Sequence, residues 1–207
     1  MTWTIPNTLT LLRLLAAPGV AIMFLYFNRP WADWLALALF IGAAVTDWFD
    51  GYLARLWKQE SRFGAMLDPI ADKAMVVIAI MVITGYSGMN PWLILPATVI
   101  LFREVCVSGL REYLGARAKE LKVTQLAKWK TTAQMVAIAI LFLGTGLTFL
   151  EEGKPPRAGE GMLPAGYTWG AIANYAGLVL IWLAALLTAI TGWDYFRTAL
   201  PYLKDSR

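Results

Sequence analysis

Histidine is missing from the 207-residue sequence, cysteine occurs once, and charged residues make up only 15% of it. Each shortage excludes something. Without histidine there is no imidazole to move protons near neutral pH and no imidazole metal ligand. With Cys106 alone there is no internal disulfide. That residue lies in an apolar segment and reads as a small buried hydrophobe. A soluble domain carries about a quarter charged residues. The N-terminal stretch Met1 to Asn7 lacks a basic segment and an evident small-residue cleavage site, so the first apolar segment is expected to remain as a span.

What is present is apolar. Hydrophobic residues make up 58% of the chain, and mean hydropathy is +0.56. Ten Trp and eight Tyr suit helix ends lying at the headgroup level of a bilayer. The expected class is all-α: one polytopic bundle over residues 1–207, a single domain without internal repeats. A span takes about 20 mostly apolar residues. Six are expected, over about residues 8–27, 31–56, 64–84, 91–115, 125–150 and 167–200. Residues 151–164, rich in Gly and Pro, read as a loop. Lys and Arg set the orientation. Lys58 and Arg62 follow the second span, and Arg117, Lys119 and Lys122 follow the fourth, with Lys128 and Lys130 just beyond, at the start of the fifth. Arg197, Lys204 and Arg207 lie at the C-terminal end. The other side holds Arg29, Lys154 and Arg157. Positive charge collects on the cytoplasmic side, so both termini are expected there.

Some charges cannot avoid the membrane. The uncharged run Trp34 to Thr46 has 13 residues, too few to cross. The second helix must therefore continue through Asp47, Asp50 and Arg55. Only 11 residues separate Lys73 from Gly85, so the third helix must begin near Gly64 and carry Asp68, Asp72 and Lys73. Spacings of three (Asp47, Asp50) and four (Asp68, Asp72) put each pair on one helix face. Measured from a turn near Gln59 and Glu60, Asp47 matches Asp72 in depth and Asp50 matches Asp68. Intramembrane acids are costly and signal function. Four together require protons or cations. Oxygen ligands alone suit hard divalent ions such as Mg2+, Mn2+ or Ca2+, and four acids suit two of them. Two ions beside basic residues equip a site for phosphoryl chemistry. Gly51, Ala54 and Gly64 allow close approach of a ligand or of another helix. Arg55 could clamp a phosphate or snorkel.

The stretch from Asp47 through Asp50, Gly51, Ala54 and Arg55, then eight residues, then Gly64, Asp68 and Asp72, resembles the signature DxxDGxxAR(x8)GxxxDxxxD of the CDP-alcohol phosphotransferase family. Every defined position matches. The resemblance implies a six-span membrane enzyme acting with two Mg2+ or Mn2+ ions. Asp47, Asp50, Asp68 and Asp72 would bind metal, and Asp72 would also be the catalytic base. Gly51, Ala54, Arg55, Ser61 and Gly64 would hold CDP-diacylglycerol, with Asn7, Thr10 and Arg13 approaching from the first span. The stretches Pro6 to Arg13, Phe102 to Glu112 and Lys128 to Met135 are similar to the branch whose acceptor is sn-glycerol 3-phosphate. A phosphate-bearing acceptor needs a positive pocket, for which Arg103, Arg111, Lys128 and Lys130 are the candidates. Arg103 could instead pair with Glu104. The resemblance further implies a homodimer. The lack of a targeting segment points to a bacterial cytoplasmic membrane, the charge bias turns the site to the cytoplasm, and no nucleic-acid partner is expected. Other acceptors (inositol phosphate, phosphatidylglycerol) stand as alternatives, as does a cation transporter from another class. The transporter has against it that its acids cluster near one side.

Overall fold

The computed structural model describes residues 5–57, 62–115, 125–153 and 167–203. Side-chain detail within them is confined to residues outside Ile5, Pro6, Trp48, residues 50–57, Arg62 and residues 125–128. The described residues form helices and turns, with no strand among them. Six helices lie among the described residues: α1 (Ile5–Tyr26), α2 (Trp31–Trp57), α3 (Arg62–Tyr86), α4 (Pro91–Leu114), α5 (Gln125–Glu152) and α6 (Trp169–Leu203). All six expected segments are helical. Three start elsewhere than expected: α1 at Ile5, α3 at Arg62 and α6 at Trp169.

The local reasons are ordinary. Pro91 opens α4 as its first residue, where its missing N–H costs nothing, and the Asn90 side chain accepts the N–H of Trp92 at 3.0 Å. Helix α6 begins where Glu151 of α5 accepts the backbone N–H groups of Trp169 at 2.9 Å and Gly170 at 3.0 Å. A carboxylate at a helix N-terminus meets both its free donors and its positive dipole end.

Among the described residues, four helices are long and apolar enough to cross a membrane: α1 over Asn7–Tyr26, α4 over Pro91–Leu114, α5 over Trp129–Glu152 and α6 over Trp169–Leu203. Helices α2 and α3, of 27 and 25 residues, lie outside that set and are the two that carry the aspartates. Large apolar side chains face outward, among them Leu15, Leu25, Phe102, Val105 and Val179. Soluble monomers rarely expose apolar surface so broadly.

Helix α1 packs on α2 and α3, α5 on α6 and α2, and α4 on α6 and α3. The core between them holds Phe24, Phe40, Met75, Ile83, Ile100, Ile138, Phe142 and Ile181. The Phe142 ring lies 5.7 Å from that of Phe24 and 5.8 Å from that of Phe40. Helices α5 and α6 approach through glycine. A β-carbon on Gly177 would stand 2.7 Å from Leu141 Cγ, and one on Gly170 would stand 2.6 Å from the backbone nitrogen of Thr148.

At the end where α1 finishes and α2 begins, Arg29 pairs with Asp33, a side chain with 0% exposure. The Arg29 guanidinium also donates to the carbonyl of Thr145 at 3.2 Å and lies 5.1 to 5.8 Å from the rings of Phe149, Tyr86 and Phe24. Tyr86 donates to the carbonyl of Phe24 at 2.6 Å. This ion pair ties α1, α2, α3 and α5 together at the end opposite the Asp47 and Asp72 level.

Candidate active site

The second turn of α1 supplies a polar face at helical spacing. Asn7, Thr10 and Arg13 are all buried. Three-residue steps put them on one stripe, and that stripe faces the aspartates of α2 and α3. Thr10 Oγ1 donates to Asp68 Oδ1 at 2.8 Å. One guanidinium nitrogen of Arg13, Nη1, donates to Asp72 Oδ1 at 2.6 Å and to Asp47 Oδ1. Asp47 and Asp72 reach the same nitrogen, so they lie at one depth on facing helices. The arginine side chain is 2% exposed, whereas those of Asp47 and Asp72 are 48% and 53% exposed. The carboxylates are therefore held from behind by a buried cation and open on their other side.

Among residues whose side chains are described, no three acids stand close enough together to hold an ion as they are. The side chain of Asp50 lies outside the described residues, as do those of Gly51, Ala54 and Arg55 on α2. Ser61 lies outside them entirely. Gly64, near the start of α3, is buried. The donor set itself fits a hard divalent ion. It offers carboxylate oxygens and no nitrogen or sulfur ligand, and two of its acids are accessible.

A second polar cluster crosses α3, α4 and α5. Lys73, beside Asp72, donates to Ser108 Oγ of α4 at 2.5 Å, and Ser108 donates to the carbonyl of Glu104 at 2.5 Å. Glu104 Oε1 accepts from Arg103 Nη1 at 3.1 Å and from Lys130 Nζ of α5. Lys130 is buried. Two cations thus meet one carboxylate, with Lys73 held nearby through Ser108, an excess of positive charge that suits an anion. Arg103 makes the pair with Glu104 that its sequence neighbour allowed, packs its stem on Gly192 of α6 and lines an apolar groove of about 700 Å³ between α4 and α6. Arg111 lies exposed with its guanidinium 5.9 Å from the Tyr195 ring centroid, on the side of α4 toward α6. The side chain of Lys128 is outside the described residues.

Residues 3–190 match the CDP-alcohol phosphatidyltransferase family. The chain belongs to that family. A relative from Cereibacter sphaeroides, a CDP-diacylglycerol--glycerol-3-phosphate 3-phosphatidyltransferase, is 68% identical over the whole of both chains. Proteins of the same name from Escherichia coli K12 and Salmonella choleraesuis are each 37% identical, over 99% of this chain and all of theirs. Within the family signature, Asp47, Asp68 and Asp72 are the members seen here against α1.

Sequence reasoning named Glu104 only as a partner for Arg103, and passed over its pairing with Lys130, as well as Ser108 and the contact of Lys73. The available signal was the four-residue step from Glu104 to Ser108 in a helix already singled out for Arg103 and Arg111. It also passed over Asp33, which carried no spacing partner except Arg29 four residues earlier.

Proposed function

We propose that this chain transfers the phosphatidyl group of CDP-diacylglycerol to sn-glycerol 3-phosphate, releasing CMP. The observation that carries the reading is the meeting of Asp47, Asp68 and Asp72, all members of the family signature, on one buried face of α1. The names of its full-length relatives support the choice of donor and acceptor. The excess positive charge around Glu104 supports an acceptor that bears a phosphate.

In this reading Asp47, Asp50, Asp68 and Asp72 hold two divalent ions, Mg2+ or Mn2+. When bound, these would neutralise the donor's diphosphate and the charge on departing CMP. Asp72 takes the proton of the attacking acceptor hydroxyl. A new P–O bond forms between that hydroxyl and the phosphatidyl phosphorus while the bond to CMP breaks. Gly51, Ala54, Arg55, Ser61 and Gly64 cradle the CDP group, and Asn7, Thr10 and Arg13 bound it from α1. Arg103, Arg111, Lys128 and Lys130 orient the acceptor's phosphate, with Glu104 holding Lys130 and Arg103 in place. The chain is a single domain whose six helices all cross a bacterial cytoplasmic membrane. Both termini and the site lie on the cytoplasmic side, where a water-soluble acceptor meets a lipid donor. It works as a homodimer.

A CMP-release assay tests this, using purified protein, CDP-diacylglycerol, Mn2+ or Mg2+ and a panel of acceptor alcohols. Release with glycerol 3-phosphate is expected. Release with a different alcohol alone would replace the acceptor, and no release with any would remove the enzyme reading.

A further inference from the structure

We infer that Arg13 is the resident counter-cation of the aspartate site: it neutralises Asp47 and Asp72 before divalent ions arrive and competes with those ions for the same oxygens. The inference deepens the reading above and rests on it, since it takes the four aspartates to be the ion ligands.

Position comes first. A single nitrogen of Arg13 serves one oxygen of Asp47 and one of Asp72, on two different helices. It lies where a cation shared by the two carboxylates would lie. Burial comes second. The Arg13 side chain is 2% exposed while both carboxylates are about half exposed. The cation is therefore built into the fold and the acids are presented outward. Chemistry comes third. A guanidinium keeps its proton throughout the pH range of proteins, so this charge cannot leave by deprotonation when another cation approaches. It must share the carboxylates or yield them. Thr10, one turn earlier on the same face, donates a neutral hydroxyl to Asp68, while the charge of α1 serves Asp47 and Asp72.

Two effects follow. Without ions, Arg13 offsets repulsion between acids that otherwise face each other across α2 and α3. With ions, the same fixed charge opposes them. With ions on the carboxylates, the guanidinium would be free to serve the CDP group that it bounds in the reading above. A side chain that only packed α1 against its neighbours would have the opposite effect, because its loss would loosen the ligands and weaken ion binding.

The experiment is a Mn2+ titration of the purified full-length protein in detergent, reading free Mn2+ by electron paramagnetic resonance, with melting curves in chelator and at saturating Mn2+. Arg13→Gln is expected to bind Mn2+ about tenfold more tightly than wild type, a coupling of ordinary size between adjacent sites. It is also expected to melt lower than wild type in chelator, with the gap narrowing in Mn2+. Arg13→Lys, which keeps the charge, is expected to bind Mn2+ at near wild-type affinity. Saturable binding by wild type with equal or weaker binding by Arg13→Gln would overturn the counter-cation and leave the ion site standing. No saturable binding by wild type would remove the ion site and the inference with it. Should Arg13→Gln not accumulate, purification in Mn2+-containing buffer is the second measurement. Recovery only with Mn2+ supports the inference, and failure in both buffers overturns it.

Discussion

Asp72 and Lys130 have different jobs, and single substitutions separate them. Asp72 is open on one side and held at 2.6 Å by Arg13 on the other. If it accepts the acceptor's proton, Asp72→Asn lowers the rate of CMP release by about 10²- to 10⁴-fold, the usual weight of a general base, while binding of CDP-diacylglycerol persists. Full turnover in that variant would exclude Asp72 as the base. Lys130 is buried against Glu104. If it orients the acceptor's phosphate, Lys130→Met raises KM for glycerol 3-phosphate and leaves KM for the CDP-lipid unchanged. Initial rates with each substrate varied in turn distinguish this from general damage, which would move both.

Elements are joined by glycines on one side of the bundle and by an ion pair at one end. Gly177 has Leu141 where a β-carbon would go. Gly177→Val therefore forces α5 and α6 apart, at a cost of about 1–3 kcal/mol as in other overpacked interiors, and lowers the melting temperature in detergent. Asp33 has 0% exposure and Arg29 is its counter-charge. Arg29→Met leaves a buried carboxylate unpaired, which costs about 3–5 kcal/mol. Replacing both, Arg29→Met with Asp33→Leu, recovers much of that loss, because the desolvated charge is gone. Thermal denaturation of the two variants checks this, and equal melting temperatures for single and double variant would show that the pair does not set stability. Neither change touches the aspartate site, so CMP release at low temperature is expected to survive in both.

The whole molecule is a bundle with two polar ends of different kinds. One end is closed by Arg29, ringed by aromatic groups. The other carries half-exposed Asp47 and Asp72. In the proposed reading, a soluble, charged acceptor enters from the second. With six crossings, tags at the N- and C-termini are expected to resist an external protease in intact spheroplasts, while a tag inserted between residues 154 and 166 is cut. Cleavage of either terminal tag would break the topology proposed here.

The helices were legible in the sequence because an apolar span has a minimum length, and a charge inside one has to be included or avoided. That rule put Asp47 and Asp72 within helices and set them at one depth before any coordinates, and the family signature named their chemistry. Boundaries depended on partners instead. Helix α6 starts at Trp169 because Glu151, on another helix, meets its first N–H groups. Contacts between helices had no sequence signal of their own, since spacing along one helix says which residues share a face and not what the face meets. Arg13 read only as a residue approaching the nucleotide from the first span until the fold set its guanidinium between Asp47 and Asp72. Glu104 read as one acid beside Arg103 until α5 brought Lys130 to it. The sequence by itself determined how many helices form, which of them carry acids and what ions those acids suit. Only the tertiary structure decided which cation faces which acid, because pairing of charges depends on distances across helices that the chain order does not contain.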